Sequence, residues 1–387
     1  MMRAATMDAA AFVRELREAA NNHDASGLGR FYAQDAVAVS PVFGRVRGRA
    51  EIVRTFQAVF ETLGDAEFDL SEVFAEGDRF AFMGTVTATD LDGWFGLPPT
   101  GTRLSYRITI VCTVAGDKIV HEERFYDLTG VVERLEKARI DAELKVASEV
   151  QSALLPRLEK SGSRWEAVAD SIPCRAIGGD FFEIVELPSG DVGVALGDVE
   201  GKGTPAALVG AMLHGMFVAD AQTGLRPAAT VERMNRQLVS GRSGDGKVAP
   251  RPRGSRFATF VYGVLSADGK FVYCNAGHSS PALLTREGVQ RLAPGGPLLG
   301  AFPELSYEEG EARLATGDML LMFSDGVTEA RNAADEEFGE TRLLERSCDS
   351  LGRPPAEVLD GILGAVREFI GTTPQADDIT VAMTRFR

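Results

Sequence analysis

Residues 192–203 read Val-Gly-Val-Ala-Leu-Gly-Asp-Val-Glu-Gly-Lys-Gly, an apolar run that leads into Gly197 and Asp198 and is followed by Gly201 and Gly203. The apolar part, residues 192–196, predicts a buried β-strand. Thr204 and Pro205 come directly afterwards and predict a helix start, with Thr204 as the N-cap and Pro205 in the first turn. A strand, a carboxylate and a helix are therefore predicted in close succession.

Other aspartates of the C-terminal part lie beside a glycine or at an end of an apolar run. They are Asp180, Asp325, Asp377 and Asp378. A single Asp-Gly step is usually a turn, so the argument depends on the whole set. Carboxylates that a fold brings together make an all-oxygen site suited to Mg²⁺ or Mn²⁺, and without a cation they would repel one another. The set predicts a divalent-metal site for phosphate chemistry.

The composition indicates a soluble, cytoplasmic protein. The chain has 387 residues, of which 44% are hydrophobic, which is enough for two cores. Its net charge of −15 disfavours nucleic acid and anionic membranes as partners. Charged residues interrupt the first 20 positions, so no signal peptide is predicted. No apolar run approaches the roughly 18 residues of a membrane span. The four cysteines form no CxxC pair, as expected in a reducing compartment.

The chain has three predicted parts, which are residues 1–127, 128–156 and 157–387. In the first part, helical patterns near residue 12 and at 49–63 precede long strand-like stretches. The predicted strands are residues 79–89, 103–114 and 118–126, with a hairpin at 115–117. Helices followed by long antiparallel strands are an α+β order, so we predict a two-domain α+β protein.

The middle part predicts one long helix, because residues 131–155 contain neither Gly nor Pro and keep a helical period. An apolar stripe consists of Ile140, Leu144, Ala147 and Leu154, with Gln151 in the missing slot. This is a short coiled-coil pattern interrupted by a polar residue. Two interpretations stay open: a helix that packs on its own domain, or a coiled coil that makes a homodimer.

Five segments of the C-terminal part occur in an informative order. They are residues 178–182 (GGDFF), 197–207 (GDVEGKGTPAA), 275–281 (NAGHSSP), 323–330 (FSDGVTEA) and 377–380 (DDIT). This order resembles the metal-dependent PPM-type serine/threonine protein phosphatases, in particular the bacterial branch of the stage II sporulation protein E and RsbU. The resemblance covers residues 150–387. It implies a four-layer αββα sandwich with two Mn²⁺ or Mg²⁺ ions at one end.

The resemblance also implies roles for individual residues. Asp198 would bridge both metals, and the Val199 carbonyl would bind the first. Asp325 and Asp377 would complete the second. Asp180 would lie close by, holding metal-bound waters or a ligand position. Water would then attack phosphorus directly, without a covalent phosphoenzyme.

Other interpretations of this region are weaker. Residues 197–202 suggest a phosphate loop, but a Walker A motif needs four residues between Gly and Gly-Lys, and this chain has three. Glu200 stands where eukaryotic phosphatases of this type carry a histidine, so no histidine general acid is predicted there. His278 is a lone histidine in a glycine-rich turn, which is more often structural than catalytic.

The N-terminal part resembles SnoaL-like proteins of the nuclear transport factor 2-like superfamily. The segments that carry the resemblance are 31–37 (FYAQDAV), 93–101 (GWFGLPPTG) and 117–127 (DKIVHEERFYD). It covers residues 8–128 and implies an α+β cone, in which helices and a curved antiparallel sheet enclose an apolar cavity. The candidate ligand-binding residues are Tyr32, Asp35, Trp94, Tyr106 and His121. No acid/base pair stands out, so ligand sensing or dimerisation is favoured over catalysis.

These resemblances predict a cytoplasmic phosphatase that acts on a phosphorylated anti-sigma factor antagonist and is regulated through the N-terminal domain. The alternative is a pseudophosphatase that binds a phosphoprotein while the N-terminal cavity senses a small molecule. A third hypothesis is an N-terminal enzyme of isomerase or hydratase type fused to a regulator, but no set of catalytic residues in the sequence supports it. Residues 241–256 hold five Lys or Arg against one Asp, which predicts a flexible insertion or a contact to an acidic or phosphorylated partner.

Overall fold

The structure, a computed structural model, describes residues 8–93, 98–239, 257–293 and 295–387. Trp94 and the basic segment at 241–256 lie outside the described residues. The chain divides into two compact units, Met1–Glu143 (unit 1) and Leu144–Arg387 (unit 2). Each unit has its own hydrophobic core.

The described residues of unit 1 form a six-stranded sheet with helices packed on it. The helices are α1 (Ala9–Asn21), α2 (Ala25–Gly29) and α3 (Arg49–Thr62), and the strands are β1 (Tyr32–Ser40), β2 (Gly44–Arg47), β3 (Glu67–Glu76), β4 (Arg79–Thr89), β5 (Arg103–Ala115) and β6 (Lys118–Tyr126). The strand order is β2-β1-β6-β5-β4-β3. The antiparallel pairing predicted for the stretches at 79–89, 103–114 and 118–126 is confirmed by β4, β5 and β6. Strand β1, which was not predicted, pairs antiparallel with β2 and parallel with β6.

The core of unit 1 lies between the sheet and its helices. Strands β4 and β5 alternate buried and less buried side chains, because one face of the sheet packs on the core. Phe82 and Ile110 of the sheet share this core with Phe12 and Leu16 of α1. The α+β order predicted from the sequence is confirmed.

Helix α4 (Leu128–Leu154) is the long helix predicted from the absence of Gly and Pro. Its first turns are anchored in unit 1, where Val131 and Leu135 are fully buried. Farther along, Ile140 and Leu154 of the predicted apolar stripe are 50% and 54% exposed. An exposed apolar stripe leaves the coiled-coil interpretation open.

The described residues of unit 2 form two sheets with helices on both outer faces. The strands are β7 (Leu158–Ser161), β8 (Trp165–Ile172), β9 (Phe181–Glu186), β10 (Val192–Val199), β11 (Ala258–Leu265), β12 (Lys270–Ala276), β13 (Ala282–Thr285), β14 (Gly288–Arg291), β15 (Gly310–Arg313), β16 (Met319–Phe323) and β17 (Ile379–Phe386). The helices are α5 (Thr204–Ala221), α6 (Pro227–Val239), α7 (Asp325–Thr328), α8 (Gly339–Asp349) and α9 (Pro355–Ile370). The sheet orders are β15-β12-β11-β10-β9 and β14-β13-β16-β17-β8-β7.

Three clusters of buried residues define four layers in unit 2. Helices α5 and α6 pack on the first sheet, with the rings of Phe217 and Phe260 5.5 Å apart. The two sheets share a second core, to which Leu196 and Leu320 contribute. Helices α8 and α9 close the second sheet, as Leu359 shows. Because both faces of each sheet are covered, strands such as β17 are buried almost throughout. The predicted αββα sandwich is confirmed.

Two details around α5 differ from the prediction. Strand β10 continues to Val199, so Asp198 lies within the strand and not after it. The N-cap is Gly203 at φ 74°, and Thr204 is the first helical residue. A positive φ favours glycine, which explains why the cap falls one residue earlier.

Among the described helices, α5 is the one whose length and composition would allow a membrane span. This is weak evidence, because core helices of globular proteins pass the same test. Its residues Leu213 and Phe217 are fully buried against the first sheet.

Candidate metal centre

The strand register brings the predicted aspartates to one end of the two sheets. Gly197 pairs with Phe181, so Asp198 lies opposite Asp180, the residue just before the neighbouring strand β9. In the other sheet Phe323 pairs with Val381, which puts the residues after β16 beside those before β17. Asp325, just after β16, and Asp377, just before β17, therefore lie at the same end of this sheet.

Hydrogen bonds join the two sheets at this end. The Thr380 hydroxyl, on β17, donates a short hydrogen bond to the carboxylate of Asp180, which precedes β9. The backbone N–H of Gly179 donates to Asp378 Oδ2 at 2.7 Å. Asp180 and Asp378 are each only 5% exposed. These bonds hold the two halves of the acidic cluster in one place.

The neighbours Asp377 and Asp378 have different surroundings. Both carboxylate oxygens of Asp378 accept backbone N–H groups, Oδ1 from Cys174 at 2.8 Å and Oδ2 from Gly179. Asp377 is less buried, and its Oδ2 lies 2.9 Å from Lys202 Nζ. Cys174, Asp377 and Asp378 offer ligand atoms within 4.8 Å of one another. Asp378 therefore mainly holds the loop in place through these hydrogen bonds, whereas the Asp377 carboxylate faces the cluster.

Two glycines allow the chain to approach closely here. A Cβ on Gly326 would lie 2.0 Å from the Asp378 carbonyl oxygen, closer than any real contact. A Cβ on Gly179 would lie 3.0 Å from the Val199 carbonyl oxygen. Any side chain at these positions would push the strand ends apart, so the glycines of the sequence motifs have a steric reason.

The electrostatics show that the carboxylates act on one another. Burial is the largest cause that raises the pKa of Asp198, to about 7, and the negative charges of Asp325 and Asp377 add to the shift. Burial, then Asp198 and Asp378, raises the pKa of Asp180 well above its ordinary value. Burial, then Asp377, raises the pKa of Asp325. The predicted aspartates therefore form one cluster of mutually repelling carboxyl groups.

This donor set fits divalent cations that prefer oxygen. Asp198, Asp325 and Asp377 offer carboxylates, and the Val199 carbonyl lies beside Gly179 without an intervening side chain. Carboxylates so close together favour either protonation or a bound cation. Hard cations such as Mn²⁺ and Mg²⁺ take such ligands. The residues present therefore fit the predicted metal centre.

Some residues near the centre had no predicted role. Lys202 forms an ion pair with Asp377. The sequence around Lys202 had been considered only as a phosphate loop. Thr380 bonds Asp180 from the other sheet, a contact that no local pattern signals. Burial raises the pKa of Glu329, and the negative charge of Asp325 adds to the shift. Glu329 therefore lies close enough to the cluster to be affected by it. Its place in the motif 323–330 was the available signal.

His278 has the surroundings of a structural residue, as predicted. Its backbone N–H donates to Asn275 Oδ1 at 2.8 Å, and Nδ1 lies 2.7 Å from the Thr259 hydroxyl. Burial lowers its pKa to about 4, so the imidazole is neutral near neutral pH. A neutral, buried imidazole is poorly placed to donate a proton in catalysis.

Gln151 of α4 bonds the loop that leads to Asp180. Its side-chain Nε2 donates to the Gly178 carbonyl at 2.8 Å, and its Oε1 accepts the Gly178 N–H at 3.0 Å. The polar residue that interrupts the apolar stripe thus holds both backbone polar groups of Gly178, two residues before Asp180. In unit 2 the last turns of α4 are in this way tied to the acidic cluster.

The N-terminal candidates separate into two groups. Tyr32 and Tyr106 line a cavity inside unit 1, together with Glu122 and Arg124, which sequence reasoning did not select. His121 is half-buried and lies beside Glu123, away from the cavity lining, and Asp35 is exposed. Glu122 and Arg124 are two residues apart on β6 and so share a strand face, which was the available signal.

Comparisons with known proteins agree with this architecture. The family model of the stage II sporulation protein E (SpoIIE) matches residues 188–387, and the SnoaL-like domain model matches residues 13–122. The SiaA-PP2C domain of Pseudomonas aeruginosa superimposes with a TM-score of 0.55 at 21% identity, covering 65% of this chain and 99% of that domain. That likeness concerns the fold.

Two curated proteins are similar in sequence. Phosphoserine phosphatase RsbU of Bacillus subtilis (strain 168) is 28% identical over 230 residues, which are 58% of this chain and 65% of that protein. Protein IcfG of Synechocystis sp. (strain ATCC 27184 / PCC 6803 / Kazusa) is 28% identical over 260 residues, 62% of this chain and 40% of that protein. The chain thus spans less than two thirds of either relative.

Proposed function

Because the chain belongs to the family of the stage II sporulation protein E, we propose that it is a metal-dependent phosphatase that releases phosphate from serine or threonine of a protein. The observation that carries the proposal is the cluster of Asp180, Asp198, Asp325 and Asp377 at one end of the sandwich, where burial and neighbouring carboxylates raise the pKa values of Asp180, Asp198 and Asp325. The similarity to phosphoserine phosphatase RsbU supports the substrate class.

In this proposal the chain's own residues hold two Mn²⁺ or Mg²⁺ ions. Asp198 and the Val199 carbonyl would hold one ion, and Asp325 and Asp377 would complete the other, with Asp198 shared. Asp180 would hold metal-bound waters or a ligand position beside Asp198. Its carboxylate is itself held by the hydrogen bond from the Thr380 hydroxyl. When bound, the ions supply Lewis acidity toward a phosphoryl group and a water. Lys202 partly offsets the negative charge at Asp377 and would attract a phosphate.

The test is phosphate release from p-nitrophenyl phosphate and from a phosphoserine peptide. We expect release with Mn²⁺, none in EDTA, and none from Asp325→Asn. Activity that persists in EDTA would contradict a metal mechanism. A folded chain that neither releases phosphate nor binds Mn²⁺ by calorimetry would support the pseudophosphatase instead.

The proposal extends to partners and location. The substrate would be a phosphorylated anti-sigma factor antagonist, and the N-terminal SnoaL-like domain would sense a small molecule. A cytoplasmic location is proposed because the described cysteines are all free thiols. Incubation with a phosphorylated antagonist and with an unrelated phosphoprotein would test the substrate; equal rates on both would oppose the assignment.

We also propose a homodimer through α4. Ile140, Val146, Val150 and Leu154 expose half or more of their surfaces on this helix, and exposed apolar side chains on one helix favour association with a second copy. Light scattering should give twice the mass of one chain. A monomer at micromolar concentration would oppose this part of the proposal.

Regulation through α4 predicts an effect of Gln151→Ala. Loss of its two hydrogen bonds to Gly178 frees the loop before Asp180, and each bond contributes about 0.5–1.5 kcal/mol. The Mn²⁺ concentration for half-maximal phosphate release should rise by about tenfold, with the substrate KM little changed. Ser152→Ala, an exposed neighbour on the same helix, is the control. Equal Mn²⁺ dependence in both variants would show that the clamp does not act on the centre.

A further inference from the structure

The acidic cluster has a positive charge of its own, the ammonium of Lys202. This residue lies in the short connection between β10, which ends at Val199, and α5, which begins at Thr204. Its Nζ lies 2.9 Å from Asp377 Oδ2 and donates a short hydrogen bond to the Ala376 carbonyl. Among the residues that the structure describes, Lys202 is the cation that forms an ion pair with the cluster. The connection thus brings one positive charge to a group of carboxylates that repel one another.

Lys202 uses an oxygen of Asp377 that a metal ion would also need. The other oxygen, Oδ1, accepts the backbone N–H of Asp378 at 3.0 Å. Lys202 also acts on Asp325, the second carboxylate assigned to the same ion. Burial and Asp377 raise the pKa of Asp325, and the positive charge of Lys202 opposes part of that rise. The ammonium therefore faces both carboxylates that would complete the second ion, and it would compete with that ion for them.

The ion pair is one that a divalent cation can replace. The side chains of Lys202 and Asp377 are 35% and 38% exposed. An ion pair between partly exposed side chains contributes little, because water and salt screen it. A divalent cation carries twice the charge of an ammonium and would repel one beside it. Lys202 should therefore leave Asp377 when an ion is bound there, while the Ala376 carbonyl can still hold its Nζ at the rim of the site.

A released ammonium at this rim can bind a phosphoryl group. A lysine ammonium carries several N–H donors on a flexible stem, and it forms strong, charge-assisted hydrogen bonds with phosphate oxygens. We propose that Lys202 exchanges partners: it pairs with Asp377 until an ion is bound there, and then donates to a phosphoryl oxygen of the substrate. This inference rests on the proposed phosphatase function, and it adds a residue that couples ion binding to phosphate binding.

The first half of the exchange is tested by calorimetry with Mn²⁺ alone, without substrate. Lys202→Gln removes the charge and keeps an amide that can donate to the Ala376 carbonyl. It should bind Mn²⁺ about twofold to tenfold more tightly than the wild type, because the ion no longer displaces an ammonium. Lys202→Arg keeps the charge and should bind Mn²⁺ as the wild type does.

Lys270→Gln is the matched control for this titration. Lys270 pairs with Glu311 at 2.8 Å, and both side chains are partly exposed, as in the ion pair of Lys202. It lies at the end of β12 that is far from Asp198, because β12 runs antiparallel to β11 and Thr259 of β11 is the residue opposite Asp198. The same chemical change there should leave the Mn²⁺ affinity unaltered.

The second half is tested with inorganic phosphate, titrated by calorimetry into the Mn²⁺-loaded chain. This measurement requires no turnover. Lys202→Gln should weaken phosphate binding by about tenfold, the loss expected for one hydrogen bond from a charged group. The KM for a phosphoserine peptide should rise by a similar factor with kcat little changed, since the contact is made before and during the reaction. Lys202→Arg should restore most of both.

Both halves are required. An Mn²⁺ affinity that is unchanged or weaker in Lys202→Gln would overturn the proposal. Tighter Mn²⁺ binding with an unchanged phosphate affinity would also overturn it, because Lys202 would then act only as a counter-charge. Failure of the phosphatase proposal gives a different result: a wild type without turnover, whose Mn²⁺ and phosphate affinities respond to Lys202→Gln as expected, would leave the exchange intact. A chain that binds no Mn²⁺ would overturn both proposals.

Discussion

Asp198→Asn is expected to lower metal-dependent phosphate release by about a thousandfold or more. Asp198 is the carboxylate that lies opposite Asp180 and is acted on by Asp325 and Asp377, so it is central to the cluster. Lewis-acid stabilisation is worth several kcal/mol, and each 1.36 kcal/mol corresponds to about tenfold in rate. Loss of the shared ligand should therefore remove most of the turnover.

The measurement is kcat on p-nitrophenyl phosphate over a range of Mn²⁺ concentrations, with Mn²⁺ affinity from calorimetry. Asp349→Asn makes the same chemical change at an exposed position at the end of α8 and should keep wild-type turnover. The variant protein should remain folded, because asparagine has nearly the same shape. Retention of more than about a tenth of the wild-type kcat at saturating Mn²⁺ would remove Asp198 from the mechanism.

Much of unit 2 could be predicted because its strands are buried on both faces and bounded by clear breaks. Residues 192–196 were predicted as a buried strand, and the structure has β10 (Val192–Val199) at this position. The aspartates could be grouped because each flanks such a strand. The separate roles of neighbouring aspartates could not be predicted from the sequence. Asp377 and Asp378 are adjacent, but it is Asp378 that accepts backbone N–H groups from a distant loop.

Contacts between distant segments could not be predicted from local patterns. The bonds of Gln151 to Gly178, and the ion pair of Lys202 with Asp377, join residues that are close only after folding. Gln151 was interpreted as an interruption of an apolar stripe, because a heptad pattern says nothing about partners outside the helix. The parallel pairing of β1 with β6 was missed for a related reason: it joins strands from opposite ends of unit 1.

The same cluster should make the metal-free protein less stable as the pH rises. Asp198 has a pKa of about 7 in the folded chain, against 3.8 as its ordinary value. Between these values the folded chain holds a proton that the unfolded chain has released, so the free energy of unfolding falls with rising pH. The contribution is fully present below about pH 4 and is lost above about pH 7, with a size on the order of 4 kcal/mol. Asp180, whose pKa is also raised, acts in the same direction.

Asp198→Asn removes this titration and should reverse the usual effect of a mutation. In EDTA at about pH 7.5 the variant should be more stable than the wild type by on the order of 4 kcal/mol, and near pH 4 the two should agree. Urea unfolding in a Trp94→Phe background, with Trp165 as the remaining tryptophan in the core of unit 2, gives the free energies.

Mn²⁺ should then stabilise the wild type more than the variant, because a cation that binds only the folded state adds its binding free energy to stability. A metal-free wild type whose free energy of unfolding stays constant or rises between about pH 5 and pH 7.5 would contradict this account of the cluster. Carboxylates that repel one another in the absence of a cation destabilise the metal-free fold, and that same repulsion strengthens cation binding. A chain that is stabilised by the loss of Asp198 and inactivated by it would therefore have its acidic cluster arranged for metal binding at the expense of metal-free stability.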